Sequence, residues 1–126
     1  MEKHELFELT LRLSNYNKEA FENFHRCRAT GKQGDFYSEV KPFADKVKEC
    51  RDKWEPEAVL WTIKNKPKNL YPMQIKNTAE NIEMVSVRAY FPESSLKKFN
   101  SHIQSIDFVL SRLLDELNLS DSHGNN

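Results

Sequence analysis

Glu22-Asn23-Phe24-His25 is a Glu-x-x-His, the spacing with which helical bundles hold di-iron centres. Such a centre needs two of these motifs plus two further inward carboxylates, and the chain carries one copy. The apolar residues around it (Leu6, Leu9, Leu13, Tyr16, Ala20, Phe24 and Cys27) set a phase. At about 100° per residue, Glu22 and His25 lie roughly 140° or more from the centre of that seam, so both should face water. His4 and His102 also fall outside the apolar seams and His123 sits near the C-terminus, so no convergent histidine set forms and no metal or other cofactor is expected. Cys27 and Cys50 fall on seams, where a thiol serves as a small apolar group. His25 is two residues from Cys27, and positions i and i+2 of a helix face different ways, which denies that thiol a base. No constellation commits the chain to catalysis, and the expectation is that it is not an enzyme.

Three other groups could bind rather than react. Lys64, Lys66, Lys68 and Lys76 fall in a stretch, Ala58 to Ala79, that holds no acid. They could form a small anion or ligand site beside a helix N-terminus, or simply complement the negative end of the preceding helix. Phe24, Phe36, Tyr37, Tyr90, Phe91 and Phe99 should meet at one end of the fold, either plugging its core or lining a shallow apolar pocket. Phe7, Leu11, Met84, Val87 and Phe108 are out of phase with their own seams, as are Val59 and Ile63. Stripes of such residues mark partner surfaces, so the first five are the candidate docking surface for a protein partner or a second copy.

The elements that must position these groups are read from period. Leu96, Phe99, Ile103, Ile106, Leu110, Leu113 and Leu117 repeat at spacings of 3 and 4, a seam about six turns long. The seam from Leu6 to Cys27 puts residues 3–30 in a second long helix, ended by Gly31 and Gly34. Asp35 can cap a third, whose seam runs through Phe36, Val40, Phe43, Val47, Cys50, Trp54, Ala58 and Trp61 to about Asn65. Pro42 and Pro56 interrupt it without shifting its phase, which predicts kinks. Pro72 opens a fourth stretch with Ile75, Ala79, Ile82, Val85 and Ala89 on one face, and Ser94 can cap the last helix. Short loops between such helices predict an all-α, antiparallel up-down-up-down four-helix bundle over 1–119, with a disordered polar tail at 120–126.

Asp35-Phe36-Tyr37, Val40-Lys41-Pro42, Trp54, Lys66-Pro67-Lys68 and Gln74-Ile75, in that order and at those intervals, resemble the YppE-like family of small bacterial helical bundles. The similarity spans nearly the whole chain. It implies a four-helix bundle and no activity.

Composition narrows the function classes. Nineteen basic and nineteen acidic residues among 126 cancel, which removes the global attraction a nucleic-acid binder relies on. The longest wholly apolar run, Ala58 to Trp61, is far short of the roughly 20 residues that span a bilayer, and Met1-Glu2-Lys3-His4-Glu5 is no signal peptide. Two cysteines fit a reducing compartment. The expectation is therefore a cytoplasmic, non-enzymatic interaction module with no membrane or nucleic-acid partner. The alternative is a bundle that binds a small ligand or anion at the aromatic end or the Lys64–Lys68 loop.

Overall fold

The computed structural model describes the backbone of residues 1–124 and the side chains of residues 1–118. The side chains of the polar tail expected at 120–126 lie outside the described residues, as do Asn125 and Asn126 altogether. Four helices form: α1 (Lys3–Thr30), α2 (Lys41–Asn65), α3 (Pro72–Arg88) and α4 (Leu96–Gly124), with a π-helical turn at Phe36–Val40 leading into α2. No strand occurs among the described residues.

The boundaries have local causes. Helix α1 stops at Gly31, whose φ of 70° is left-handed and whose N–H donates to the Cys27 carbonyl at 2.8 Å. Asp35 accepts from both the N–H and the hydroxyl of Ser38 at 2.8 Å, bonds that hold its carboxyl below the usual range. The Asp35 carbonyl then takes the N–H groups of Glu39 (2.9 Å) and Val40 (3.0 Å), so the chain turns wide before α2 tightens. Pro42 stands in the first turn of α2, where a missing N–H costs nothing, and Pro56 lies inside the helix. Gln74 reaches back to the Tyr71 N–H at 2.7 Å and caps α3. Ser95 rather than the expected Ser94 caps α4, accepting the Lys98 N–H at 3.3 Å.

Packing follows the four seams. Leu13, Phe24, Trp54, Ala58, Ile75, Ala79, Ile106, Leu110, Leu113 and Leu117 are fully buried. The expected seams fail at Leu96 and Phe36, which are exposed at helix entrances that no neighbour covers, and Tyr16 and Trp61 are half-buried.

Direction is set by paired contacts. Going up α1, Leu9 meets Cys50 (carbonyl to Sγ, 3.6 Å) and Tyr16 meets the Phe43 ring at 6.0 Å, so α2 runs the other way. Asn17 donates to the Ile103 carbonyl (3.1 Å), Phe24 stacks on Phe99 (3.9 Å), and Arg28 donates to the carbonyls of Pro92 and Ser94, so α4 also runs against α1. Trp54 crosses the core to donate its indole N–H to the Thr10 hydroxyl at 3.0 Å, and that hydroxyl donates in turn to the Leu6 carbonyl at 2.7 Å.

One connection is fixed by a missing side chain. Gly34 donates its N–H to the Tyr90 carbonyl at 2.9 Å, and a Cβ there would lie 2.5 Å from Cδ1 and 2.8 Å from Cβ of Tyr90. Nothing lies within 4 Å of a Cβ at Gly31, where only the positive φ penalises a side chain. Gly31→Ala is therefore expected to cost about 1–2 kcal/mol from backbone strain alone. Gly34→Ala is expected to cost about 1–3 kcal/mol from overpacking, together with a changed Tyr90 environment in near-ultraviolet circular dichroism. Urea unfolding measures both costs, and an unperturbed Gly34→Ala would contradict this packing.

Candidate functional site

The Glu-x-x-His motif does not converge on anything. Glu22 and His25 are both exposed, and the His25 ring rests 4.3 Å from that of Phe21. Among the described residues no three His, Cys, Asp or Glu side chains gather as metal ligands. Cys27 and Cys50 are free and buried, and burial pushes both thiols up, away from the reactive thiolate.

The six aromatics of the expected end cluster separate into two groups. Phe24, Phe99 and Tyr90 are buried, with Tyr90 edge-on to Phe43 at 6.0 Å. Phe36 and Tyr37 instead stand in water, packed on each other edge-to-face at 5.1 Å, because the π-helical turn points them off the bundle. Phe91 is half-buried. Phe99 also borders a groove of about 260 Å³ between α3 and α4, together with Met84, Arg88, Lys98 and His102.

The off-seam residues differ in burial. Phe7 and Met84 are half-buried against the core, widening it, while Leu11, Val87 and Phe108 are exposed. Met84 faces the groove between α3 and α4. Phe21, which the phase reading passed over, lines a different groove between α1 and α4 with Lys18, Ile103 and Asp107.

The structure gathers exposed apolar side chains where α2 hands over to α3. Leu60 (60 % exposed), Ile63 (55 %), Tyr71 (60 %) and Met73 (63 %) all stand in water within this short stretch. Two grooves meet at Ile63. One, about 560 Å³, lies against the start of α1 and includes Leu6, Leu60, Trp61 and Lys64. The other, about 580 Å³, lies along the 66–71 connection and is lined by Thr62, Ile63, Lys66, Pro67, Lys68, Asn69, Leu70, Tyr71 and Pro72. Three of the four candidate lysines therefore border these grooves, whereas Lys76, exposed further along α3, lines neither. Ile63 and the lysines were legible in the sequence. Leu60, Tyr71 and Met73 were missed, although Leu60 is one turn from Ile63 and turned away from the α2 seam, and Met73 lies opposite the α3 seam.

The connection is held tightly. Lys66 (φ 47°) and Asn69 (φ 62°) are both left-handed, and Arg112 of α4 donates to the Lys68 carbonyl at 2.9 Å. Left-handed backbone at a lysine is uncommon and persists where surroundings over-determine it.

Residues 10–117 match the DUF1798 family, described as a bacterial domain of unknown function. Among solved structures, a Listeria innocua protein of unknown function is 31 % identical, with 95 % of this chain and 96 % of that one covered at a TM-score of 0.90. The crystal structure of YppE from Bacillus subtilis superposes at a TM-score of 0.90 over 97 % of this chain and 99 % of its own, at 20 % identity. A DUF1798 protein from Staphylococcus aureus gives 0.82 over 93 % of this chain and 99 % of its own, at 22 % identity. No helix among the described residues is long and apolar enough to cross a membrane.

Tyr90 gives the aromatic end a measurable signature. Burial, then the charges of Glu19 and Glu39, push its hydroxyl up from 10.0 to about 12, while Asn23 donates to its oxygen at 2.9 Å. Between pH 10 and about 12 the unfolded chain gives up this proton and the native chain keeps it. Native protein then binds more protons, so stability falls as pH rises through that window, by about 2–3 kcal/mol from this group. Tyr90→Phe lacks that loss. It is expected to be the less stable protein below pH 10, where the Asn23 bond counts, and the more stable one near pH 12. Urea midpoints across the range check this, and parallel curves for the two proteins would refute it.

Proposed function

The chain belongs to the DUF1798 family of bacterial domains, and on that footing we propose that it is a non-enzymatic interaction module which docks a protein partner through the α2–α3 end of the bundle. The observation that carries this reading is the exposure of Leu60, Ile63 and Tyr71, which line two grooves that meet at Ile63. Scattered exposed hydrophobes need no explanation, whereas a contiguous set over concave surface is what partner sites look like. Leu70 is almost wholly buried and gives the second groove a fixed floor. Its walls include two prolines, which lose little freedom on binding. Against catalysis stand the raised thiols and the exposed Glu22 and His25.

This end replaces the five-residue off-seam surface as the docking site, since two of those five are half-buried and contribute to the core. An anion held by lysines alone is the weaker reading, because the same lysines flank apolar grooves rather than a polar cradle.

The test is affinity capture from the protein's own cell with wild type and with a Leu60→Ser, Ile63→Ser, Tyr71→Ser variant. All three side chains are exposed, so the variant is expected to keep its melting temperature within a few degrees. Wild type is expected to retain a defined partner that the variant loses by tenfold or more. Equal retention by both, or none by either, overturns the proposal.

A further inference from the structure

We infer that the groove along the 66–71 connection receives an acidic, apolar segment of a protein partner. This rests on the docking reading above and adds the chemistry of the occupant.

Charge is the first argument. From Ala58 through Ala79 the chain has four lysines and no acid, and the residues lining this groove include Lys66 and Lys68 but no carboxylate. Lys64 borders the adjoining groove, where Glu57 also lies, paired with the N-terminal amine at 3.8 Å. Among the described residues no ion pair engages Lys64, Lys66 or Lys68, whereas three lysines of α2 pair with acids one turn away, as in Lys41–Asp45 and Lys48–Asp52 at 2.7 Å. Lys66 and Lys68 lack counter-charges among the residues that line this groove. A partner bringing carboxylates would supply them, speeding encounter and excluding basic competitors.

Shape is the second argument. The groove is concave, with Leu70 beneath and Ile63 and Tyr71 at the side, and its volume of about 580 Å³ accommodates a few side chains rather than a whole domain face. Lys66 and Lys68 line the same recess as Leu70, Ile63 and Tyr71, and a recess that combines both chemistries favours a peptide segment. The connection is also pre-set. Two left-handed residues, Lys66 and Asn69, and the Arg112 bond to Lys68 fix the backbone that carries the lysines, so little ordering remains to be done on binding.

Fluorescein-labelled peptides alternating Asp or Glu with Leu or Phe are the probe, read by fluorescence polarisation. Controls carry Ser in place of the acids or Ser in place of the apolar residues, and single-stranded DNA and phosphatidylserine vesicles test the other polyanions. The acidic, apolar peptides are expected to bind at least tenfold tighter than either Ser control. Affinity should fall about tenfold in a Lys66→Glu, Lys68→Glu variant and should weaken with added salt. Equal binding of the acid-free control overturns the inference, and so does binding of DNA or vesicles with none of the peptides, or no binding at all. The docking reading fails separately. If capture of a partner is lost in the Leu60, Ile63, Tyr71 variant but kept in the double lysine variant, the docking site stands and its acidic occupant does not.

Discussion

Helix α4 presents apolar side chains from Phe99 to Leu117 along one face, and taking that face out of water is what the other helices accomplish. Each fully buried Leu or Ile is worth about 1.5–3 kcal/mol, while an isolated helix is marginal in water, so α4 depends on its neighbours rather than on its own propensity. Helix α1 lies antiparallel along one side and α3 along another, and Trp54 of α2 reaches the centre. Apolar contact is non-directional and would tolerate slippage by a turn. Register comes from a few polar bonds: Trp54 to Thr10, Asn17 to the Ile103 carbonyl, and Asn23 to Tyr90. Each is modest when made and expensive when left unmade in a dry interior.

The two ends of the bundle resolve the same problem differently. At one end Gly34 lets the 1–2 connection press onto Tyr90, Phe24 stacks on Phe99, and Arg28 ties the 92–94 turn to α1. That end is sealed by side chains. At the other, a six-residue connection from Lys66 to Tyr71 closes α2 onto α3 with a left-handed residue near each end of its tight portion, and only Leu70 of it enters the core. Thr62 and Ile75 are buried there, while Ile63 and Met73 face away from the α2 and α3 seams and stand in water.

Much of the architecture was legible because burial on a helix has a period. The α3 seam from Ile75 to Ala89 is buried at every expected position, and the α4 seam at every position but Leu96. Period fails at entrances, where residues are helical but no neighbour is alongside, as at Phe36 and Leu96. The wide turn at Phe36–Val40 was not readable either. Asp35 signals a cap, but whether its carbonyl takes the amide four or five residues on depends on how Tyr90 and Arg26 receive the turn. The site was half legible. Phase tells which way a side chain leaves its own helix, so Ile63 stood out. It does not tell what stands beside it, so Phe7 and Met84 were read as surface although neighbouring side chains cover them. Tyr71 and Met73 flank Pro72 at a helix start, where no long-period signal accumulates.

Net charge illustrates the same limit from the electrostatic side. Equal numbers of acids and bases leave the molecule as a whole without net charge. Screening in physiological salt, however, restricts any charge to about 8 Å of influence, so a partner near one end of a bundle senses only the charges there. Some of the chain's acids pair along α2, in i,i+4 pairs such as Lys41–Asp45 and Arg51–Glu55, and across to α3 in Arg51–Glu83. None falls between Ala58 and Ala79. A balanced composition is thus compatible with a groove lined by two lysines and no acid. The segregation is itself the informative quantity, because exposed pairs contribute little stability and their placement is free to serve recognition.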